Sequence, residues 1–369
     1  MKIIIGCDFH PSYQQIAMMD MDSKELVEKS LSHENKDKVR VFYAGLPGPV
    51  RVGVETSGQS QWFEQMLAEL GHELWIGDAK KIRAAADRKQ KTDRRDALLM
   101  LQMLVENRFP RIWTPTAKER DARQLLLHRS KLVRMRTQVK NQLQALALNQ
   151  GMQRKRKLWS EAGRQQLQAL PLLPWAARRR EELLTLLHQL ETSIGELDRA
   201  VAEEANTRVE AQRLMTHPGV GPVTALAFVL TLGPPNRFAR GKQVASYFGL
   251  IPSENSSGGR QRFGHISKQG NSFMRWVLVE AAQSAVRCEP QMRRDYLRLA
   301  HRKNRALAKV AAARKLAVRL YWMLRGEMDY AQLIQGSCAG QPGSSCGRSY
   351  GRALEWASCL PRQLGSLKK

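Results

Sequence analysis

The sequence has no long apolar run. Its longest, Ala225 to Leu232, stops at Gly233-Pro234-Pro235, far short of the roughly 20 residues that cross a bilayer as a helix, so no membrane partner is expected. The N-terminus, MKIIIGCDFH, carries only a short apolar stretch with Asp8 inside it, which makes a poor secretory leader. Cysteine is scarce and unpatterned: Cys7, Cys288, Cys338, Cys346 and Cys359 form no CxxC pair and no regular spacing. That argues against a zinc ribbon or a disulfide framework and for free thiols in a reducing, cytoplasmic compartment. No internal repeat is present. Negative charge is also short, with 34 Asp plus Glu against 60 Lys plus Arg and a net charge of +26. The resulting pI near 10.4 calls for a polyanionic partner, of which a nucleic-acid backbone is the commonest.

The apolar complement, by contrast, is ordinary. Hydrophobic residues make up 43% of a 369-residue chain, enough to bury cores in two or three domains. Residues 1–112 read as α/β. Lys2–Cys7 is a strand and Tyr13–Met19 pairs with it antiparallel, with a polar turn at Asp20–Lys24; Val50–Glu55 and His72–Ile76 are further strands. The spacing of Trp62, Phe63, Met66, Leu67 and Leu70 predicts a helix over Ser60–Leu70, closed by Gly71, and Ala97–Val105 is a second.

Residues 113–210 change character to long, charged, Leu-rich helix. Leu125, Leu132, Val139 and Leu146 recur every seven residues, and Leu183, Leu187, Leu190, Ile194, Leu197 and Val201 alternate steps of four and three, the seam of a coiled coil. Pro171 and Pro174 break the run, so a basic antiparallel helical hairpin is expected. Its cations include Arg129, Lys131, Arg134, Arg136, Lys140, Arg178, Arg179 and Arg180, and a tip cluster of Arg154, Lys155, Arg156 and Lys157. Singly such charges solvate a helix face; clustered, they suit nucleic acid. Residues 211–334 form a third, mainly α unit with the apolar helix Val223–Leu232, and 335–369 is Gly- and Ser-rich, a disordered tail by composition.

Four carboxylates stand out. Asp8 ends the first strand, Glu55 ends VRVGVE, and Asp93 and Asp96 lie three residues apart at the start of a helix in KTDRRDA, hence on one face. Each alone has a bland reading as a turn, cap or helix-dipole residue. Together they occupy the elements an RNase H-like fold requires and can hold two divalent metals that activate an attacking oxygen and stabilise a leaving one. Hard oxygen ligands select Mg2+, with Mn2+ as the alternative.

A second constellation is Gly249-Leu250-Ile251-Pro252-Ser253-Glu254-Asn255-Ser256-Ser257-Gly258-Gly259, followed by Arg260, Arg262, Lys268 and Arg275. Serines among glycines usually mark loop; surrounded by cations, one of them suits attack on a phosphate. Third, Pro218-Gly219-Val220-Gly221 before an apolar helix reads either as a helix-hairpin-helix turn, with Gly219 and Gly221 offering amides to a DNA phosphate, or as a plain turn between packed helices.

The order GCD, VETSG, KTDRRDA, basic helices, HPGVGPVTA, SYFGLIPSENSSGG and HISKQGNSFMR, over roughly residues 3 to 325, resembles the insertion-sequence 110 transposase family (the 110/116/902 group). The resemblance implies an α/β RNase H-like (RuvC-like) N-terminal domain, a helical coiled-coil region and a mainly α C-terminal transposase domain with an essential serine. The acidic tetrad becomes Asp8, Glu55, Asp93 and Asp96. Aligning on GL-x-P places the serine at Ser257, with Ser256 the adjacent rival. It also implies a bacterial, nucleoid-associated enzyme that cuts and rejoins donor and target DNA under the guidance of a bridge RNA. Because recombination cuts several strands in one complex, a homodimer or homotetramer is expected. The runner-up is a Holliday-junction-resolvase-like nuclease using metal-activated water and no covalent link; a non-enzymatic scaffold with structural acids is the third reading.

Overall fold

Strand β1 (Ile3–Phe9) is buried along its whole length, because apolar layers cover both of its faces. The structure, a computed structural model, describes residues 2–56, 58, 60–86, 92–152 and 157–338, and its contacts divide into two units meeting at Thr114 and Pro115. In the first, β1 is the centre of a mixed five-stranded sheet of order β3-β2-β1-β4-β5. Strand β2 (Tyr13–Asp20) pairs antiparallel with β1, and β3 (Leu26–Ser32) antiparallel with β2. After helix α1 (Lys36–Ala44), β4 (Arg51–Glu55) pairs parallel with β1; after helix α2 (Gln61–Glu69), β5 (Glu73–Gly77) pairs parallel with β4. Helices α3 (Ala79–Ala84) and α4 (Asp93–Val105) complete the unit.

The period-two alternation of a strand divides β1 between two cores. Ile3, Ile5, Cys7 and Phe9 pack with Val39 and Tyr43 of α1 and Phe63, Met66 and Leu67 of α2. Ile4 packs on the other side with Ala97, Met100, Leu101 and Leu104 of α4. This mixed sheet with helices on both faces is compatible with an RNase H-like domain. The strands and helices expected from the sequence appear here, and β3, α1 and α3 are additions. LVEKSLS is exposed or half-buried throughout, so no apolar alternation marks it; its ladder to β2, Leu31 against the α1–α2 core and the pairing of Glu28 with Arg94 of α4 hold it.

From Pro115 the chain is mostly helical. Helix α5 (Ala117–Asn149) starts in a capping box between Thr116 and Glu119. After helix α6 (Glu161–Gln168), helix α7 (Pro174–Asn206) begins with Pro174 in its first turn, where the absent N–H leaves nothing unpaired. Cross-links Arg129–Asp198 and Lys140–Glu191, with Arg179 donating to Gln142, set α5 and α7 antiparallel, as the break at Pro171 and Pro174 suggested. On α7 the expected seam is the inner one: Leu187, Leu190, Ile194 and Val201 are buried. On α5 the seven-residue series is off the mark, since only Val139 of it is buried and the inner face is Ala122, Leu126, Ser130, Val139, Leu143 and Ala147. A straight helix drifts about 20° per seven residues, and α5 changes neighbours along its length. Its first turns join the C-terminal core and its last turns pack with α6 and α7.

Helices α8 (Val209–Met215), α9 (Pro222–Leu232) and α10 (Gly241–Tyr247) lead to a hairpin of β6 (Pro252–Glu254) and β7 (Phe263–Ile266). Helices α11 (Ser272–Cys288), α12 (Pro290–Arg302), α13 (Arg305–Arg325) and α14 (Tyr330–Cys338) follow. The core is α9 with α11 and α13, rich in Ala, Leu and Phe. Of the expected tail, residues 335–338 end α14, which buried Leu333 docks; residues 339–369 lie outside the described ones. Among the described residues no helix is long and apolar enough to cross a membrane.

Candidate active site

Parallel pairing puts two acids side by side. Cys7 lies opposite Val54, so Asp8 and Glu55, the next residue on each strand, neighbour one another at the strand ends, about 4.8 Å apart in strand spacing. Cys7 and Val54 point into the α1–α2 core, so alternation turns Asp8 and Glu55 toward the α4 face. There α4 approaches β1 very closely. A Cβ on Gly6 would come within 2.2 Å of the Ala97 carbonyl oxygen and 2.3 Å of the Leu101 nitrogen, so only glycine permits the approach. That contact brings the first turn of α4, with Asp93 and Asp96, to the end of β1. Thr92 caps the turn, its Oγ1 accepting from the Arg95 amide at 3.4 Å.

Asp8 and Asp93 converge, with two side chains the sequence reading did not single out, whereas among the described contacts Glu55 meets Arg83 and Asp96 acts on Asp8 through its charge. His10 Nε2 lies 3.2 Å from Asp8 Oδ2 and 3.7 Å from Asp93 Oδ2, and Asp8, His10 and Asp93 offer ligand atoms all within 4.8 Å of one another. The Tyr13 hydroxyl donates to Asp93 Oδ2, and its ring stacks on His10 with centroids 4.9 Å apart. Burial pushes the Asp8 carboxyl above its ordinary range; His10 pulls it back by charge and hydrogen bond, while the Asp96 and Asp93 charges push it further up. Glu55 is met by α3, its Oε1 accepting from Arg83 Nη2 at 3.1 Å. A cluster of hard oxygen donors and one imidazole, held where its own charges repel, suits a divalent cation. His10 could have been noticed two residues after a strand-end Asp. Tyr13 could not, because its contact with Asp93 exists only once α4 is docked.

Below Asp8, the Cys7 thiol is buried, and burial with the neighbouring Asp8 charge holds it protonated, so it is packing and no nucleophile.

In the second unit the serine segment is the tip of the β6–β7 hairpin. Ser256 Oγ donates to Glu254 Oε1 at 2.8 Å and accepts from the Arg262 amide at 3.1 Å. Ser257 is exposed and forms a bridge with Arg260 across Gly258 and Gly259, whose φ of +57° and +75° turn the chain. Arg275 serves the hairpin's root: its guanidinium donates to the carbonyls of Phe248, Gln269 and Gly270. Lys268, at φ +53°, lies in the same root, its amide donating to Gly249 O at 3.3 Å. Gly219, at φ +84°, sits where a Cβ would meet the Ala285 nitrogen at 2.3 Å, so the turn between α8 and α9 presses on α11; Gly221 is the N-cap of α9.

Of the expected nucleic-acid residues, Lys157 is exposed at the start of a short 3-10 turn, and Arg154, Lys155 and Arg156 lie outside the described residues. Several hairpin cations have intrachain work. Arg129 and Lys140 pair with α7 carboxylates, and buried Arg180 donates to the carbonyls of Leu167 and Leu170.

Two family models match the chain. A family model described as Transposase IS116/IS110/IS902 family matches residues 211–297, and the DEDD transposase model of the IS110 type matches residues 5–152. A probable family 20 transposase of Pseudomonas aeruginosa is 28% identical over 335 residues, covering 88% of this chain and 98% of its own length. A putative transposase of Sinorhizobium fredii is 28% identical over 335 residues, 87% of this chain and 84% of its own. The transposase for insertion sequence element IS1111A of Coxiella burnetii is 28% identical over 292 residues, 77% and 78% of the two chains.

Proposed function

This chain belongs to the IS116/IS110/IS902 family of transposases, enzymes that cut and rejoin DNA, and from that premise we propose that it recombines DNA through a serine-linked intermediate. The observation that carries the reading is the presence in one chain of a converging acidic cluster, Asp8 with Asp93, and a separate exposed serine on a basic hairpin. Ser257 is the nucleophile. Ser256 is already engaged on both sides by Glu254 and Arg262, whereas Ser257 stands at the turn. Its Oγ forms a bond to phosphorus as the P–O bond to one nucleotide breaks, and the reverse reaction with a new nucleotide oxygen rejoins the strand. Arg260 and Arg262 beside it supply charge to the phosphate. Asp8, Glu55, Asp93 and Asp96 would hold Mg2+, with Mn2+ as a substitute, and such an ion would supply positive charge to the reacting oxygens. Asp8 and Asp93 bind through carboxylates that His10 and Tyr13 hold in place.

The remaining parts follow the same reading. The residues in the basic 154–157 cluster, with Arg260, Arg262 and Lys268, bind nucleic acid. Gly219 and Gly221 offer amides to a phosphate, Gly219 also lying against α11, and Arg275 acts by shaping the hairpin root. The bound nucleic acids are donor DNA, target DNA and a bridge RNA, and the working complex is a homodimer or homotetramer. Functionally the chain divides into 1–112, 113–210 and 211–334.

A recombination assay with purified protein, Mg2+, donor and target DNA, and RNA transcribed from the flanks of the element tests this. Recombinants that need the RNA are expected, with a covalent protein–DNA adduct that Ser257→Ala abolishes and Ser256→Ala retains. An adduct surviving in Ser257→Ala rejects the serine assignment. A second reading, a resolvase-like nuclease, draws on the grouping of Asp8, His10 and Asp93 within residues 1–114; nicked products without rejoining, indifferent to Ser257→Ala, favour it.

A further inference from the structure

The acidic site carries a nitrogen donor as well as its oxygens. A metal bound at about 2.1 Å from each donor holds neighbouring ligand atoms about 3.0–3.4 Å apart and never more than about 4.2 Å. His10 Nε2 stands 3.2 Å from Asp8 Oδ2 and 3.7 Å from Asp93 Oδ2, both inside that limit, and the three ligand atoms all lie within 4.8 Å of one another. The imidazole is also held in place: the Tyr13 ring lies over it at an interplanar angle of 22°, and the Tyr13 hydroxyl fixes Asp93. One tyrosine on β2 therefore orients a nitrogen donor from the loop after β1 and an oxygen donor from α4. A histidine present merely as counter-charge needs neither the stacking nor a nitrogen equidistant, within half an ångström, from two carboxylates on different elements.

We propose that His10 is a direct metal ligand, completing a site with Asp8 and Asp93, and that Tyr13 is the positioning residue for both His10 and Asp93. The inference rests on the reading of the acidic cluster as a metal site and adds its composition. Mg2+ takes oxygen almost exclusively, whereas imidazole favours the later divalent ions, so His10 shifts the site's preference from Mg2+ toward Mn2+. Oxygen ligands alone leave that preference flat.

The test is Mn2+ binding to the full-length protein, read by paramagnetic resonance and calorimetry, with Mg2+ as the comparison. The expected result is a 14N coupling from a directly bound imidazole in wild type that is lost in His10→Asn. Mn2+ affinity should fall by about tenfold or more in that variant, on the scale known for disturbing a metal site, while Mg2+ affinity changes by less than about threefold. Tyr13→Phe should keep the 14N coupling and weaken Mn2+ binding by an intermediate factor. Wild type that binds Mn2+ without a 14N coupling, or His10→Asn that loses Mg2+ and Mn2+ equally, overturns the proposal. Asp8→Ala and Asp93→Ala separate its failure from that of the parent reading. If those variants bind Mn2+ as wild type does, the acidic cluster is no metal site; if they lose it while His10→Asn does not, only the role of His10 is wrong. Circular dichroism melts of each variant confirm that the fold is retained.

Discussion

At the scale of single residues, environment decides what a side chain contributes. His217 comes from the HPGVG segment, where a histidine invites a functional reading. It is buried, its Nδ1 donates to Pro218 O at 2.9 Å, and its ring packs on Tyr330 with centroids 4.5 Å apart. Burial lowers its pKa from 6.5 to about 4. The folded protein therefore keeps the ring neutral where the unfolded chain protonates it. The stability this provides is whole above pH 6.5 and declines as pH falls toward 4, by on the order of 3 kcal/mol in all. Urea unfolding at a series of pH values should show that slope in wild type and a flatter one in His217→Asn. Equal slopes in the two proteins would mean that another group governs acid stability.

Elements are placed by a few close contacts, and these set the site more firmly than its own acids do. Gly6→Ala drives a methyl into the backbone of α4 at Ala97 and Leu101. Neither neighbour can give way as a flexible side chain does, so a loss of about 3 kcal/mol is expected, together with loss of metal binding as the first turn of α4 moves off Asp8. Thr92→Ala removes only the cap on that turn, about 1 kcal/mol, and calorimetric melts should rank the two variants in that order. In the C-terminal core Glu289 does two things. It caps α12 through the amides of Gln291 and Met292, and it pairs with buried Arg319 at 3.2 Å. Glu289→Ala should cost about 3 to 5 kcal/mol, measured by urea unfolding, whereas Glu289→Gln, which keeps a cap, should lie between it and wild type. The elements that the sequence marked are those whose apolar spacing reports one buried face, such as α2, α4, α7 and α9. Strand β3 escaped because both faces of LVEKSLS are polar or exposed, and the heptad on α5 misled because that helix serves two cores in succession.

For the whole molecule, a net charge of +26 is the dominant fact. Binding to duplex DNA should weaken linearly in log–log terms as salt rises, and fluorescence anisotropy of labelled DNA across a salt series reads the slope. A slope near zero would indicate that the basic residues are balanced within the protein. Within the hairpin Arg129 pairs with Asp198, and Lys140 and Arg164 pair with Glu191, but residues 113–210 still hold more Lys and Arg than Asp and Glu. If subunits share a site, mixing Ser257→Ala with Asp8→Ala protein should restore recombination that neither variant performs alone. Persistent inactivity of the mixture would place both functions in one subunit.

The placement of Asp8 and Glu55 at strand ends, of Asp93 and Asp96 in the first turn of a helix, and of a turn at Gly258-Gly259 was legible in the sequence, because strand ends, N-caps and turns are written in short stretches of neighbouring residues. The antiparallel hairpin was legible for the same reason, through Pro171, Pro174 and the seam on α7. Tertiary structure alone decided which groups meet. His10 and Asp93 are 83 positions apart in the chain and come within 3.7 Å only because Gly6 lets α4 lie against β1. Likewise the role of Arg275 as a clamp on the serine hairpin, and the placement of Ser256 against Glu254, depend on carbonyls and carboxylates brought together by folding. Periodicity reports which face of an element is covered; it carries no record of which distant side chain does the covering.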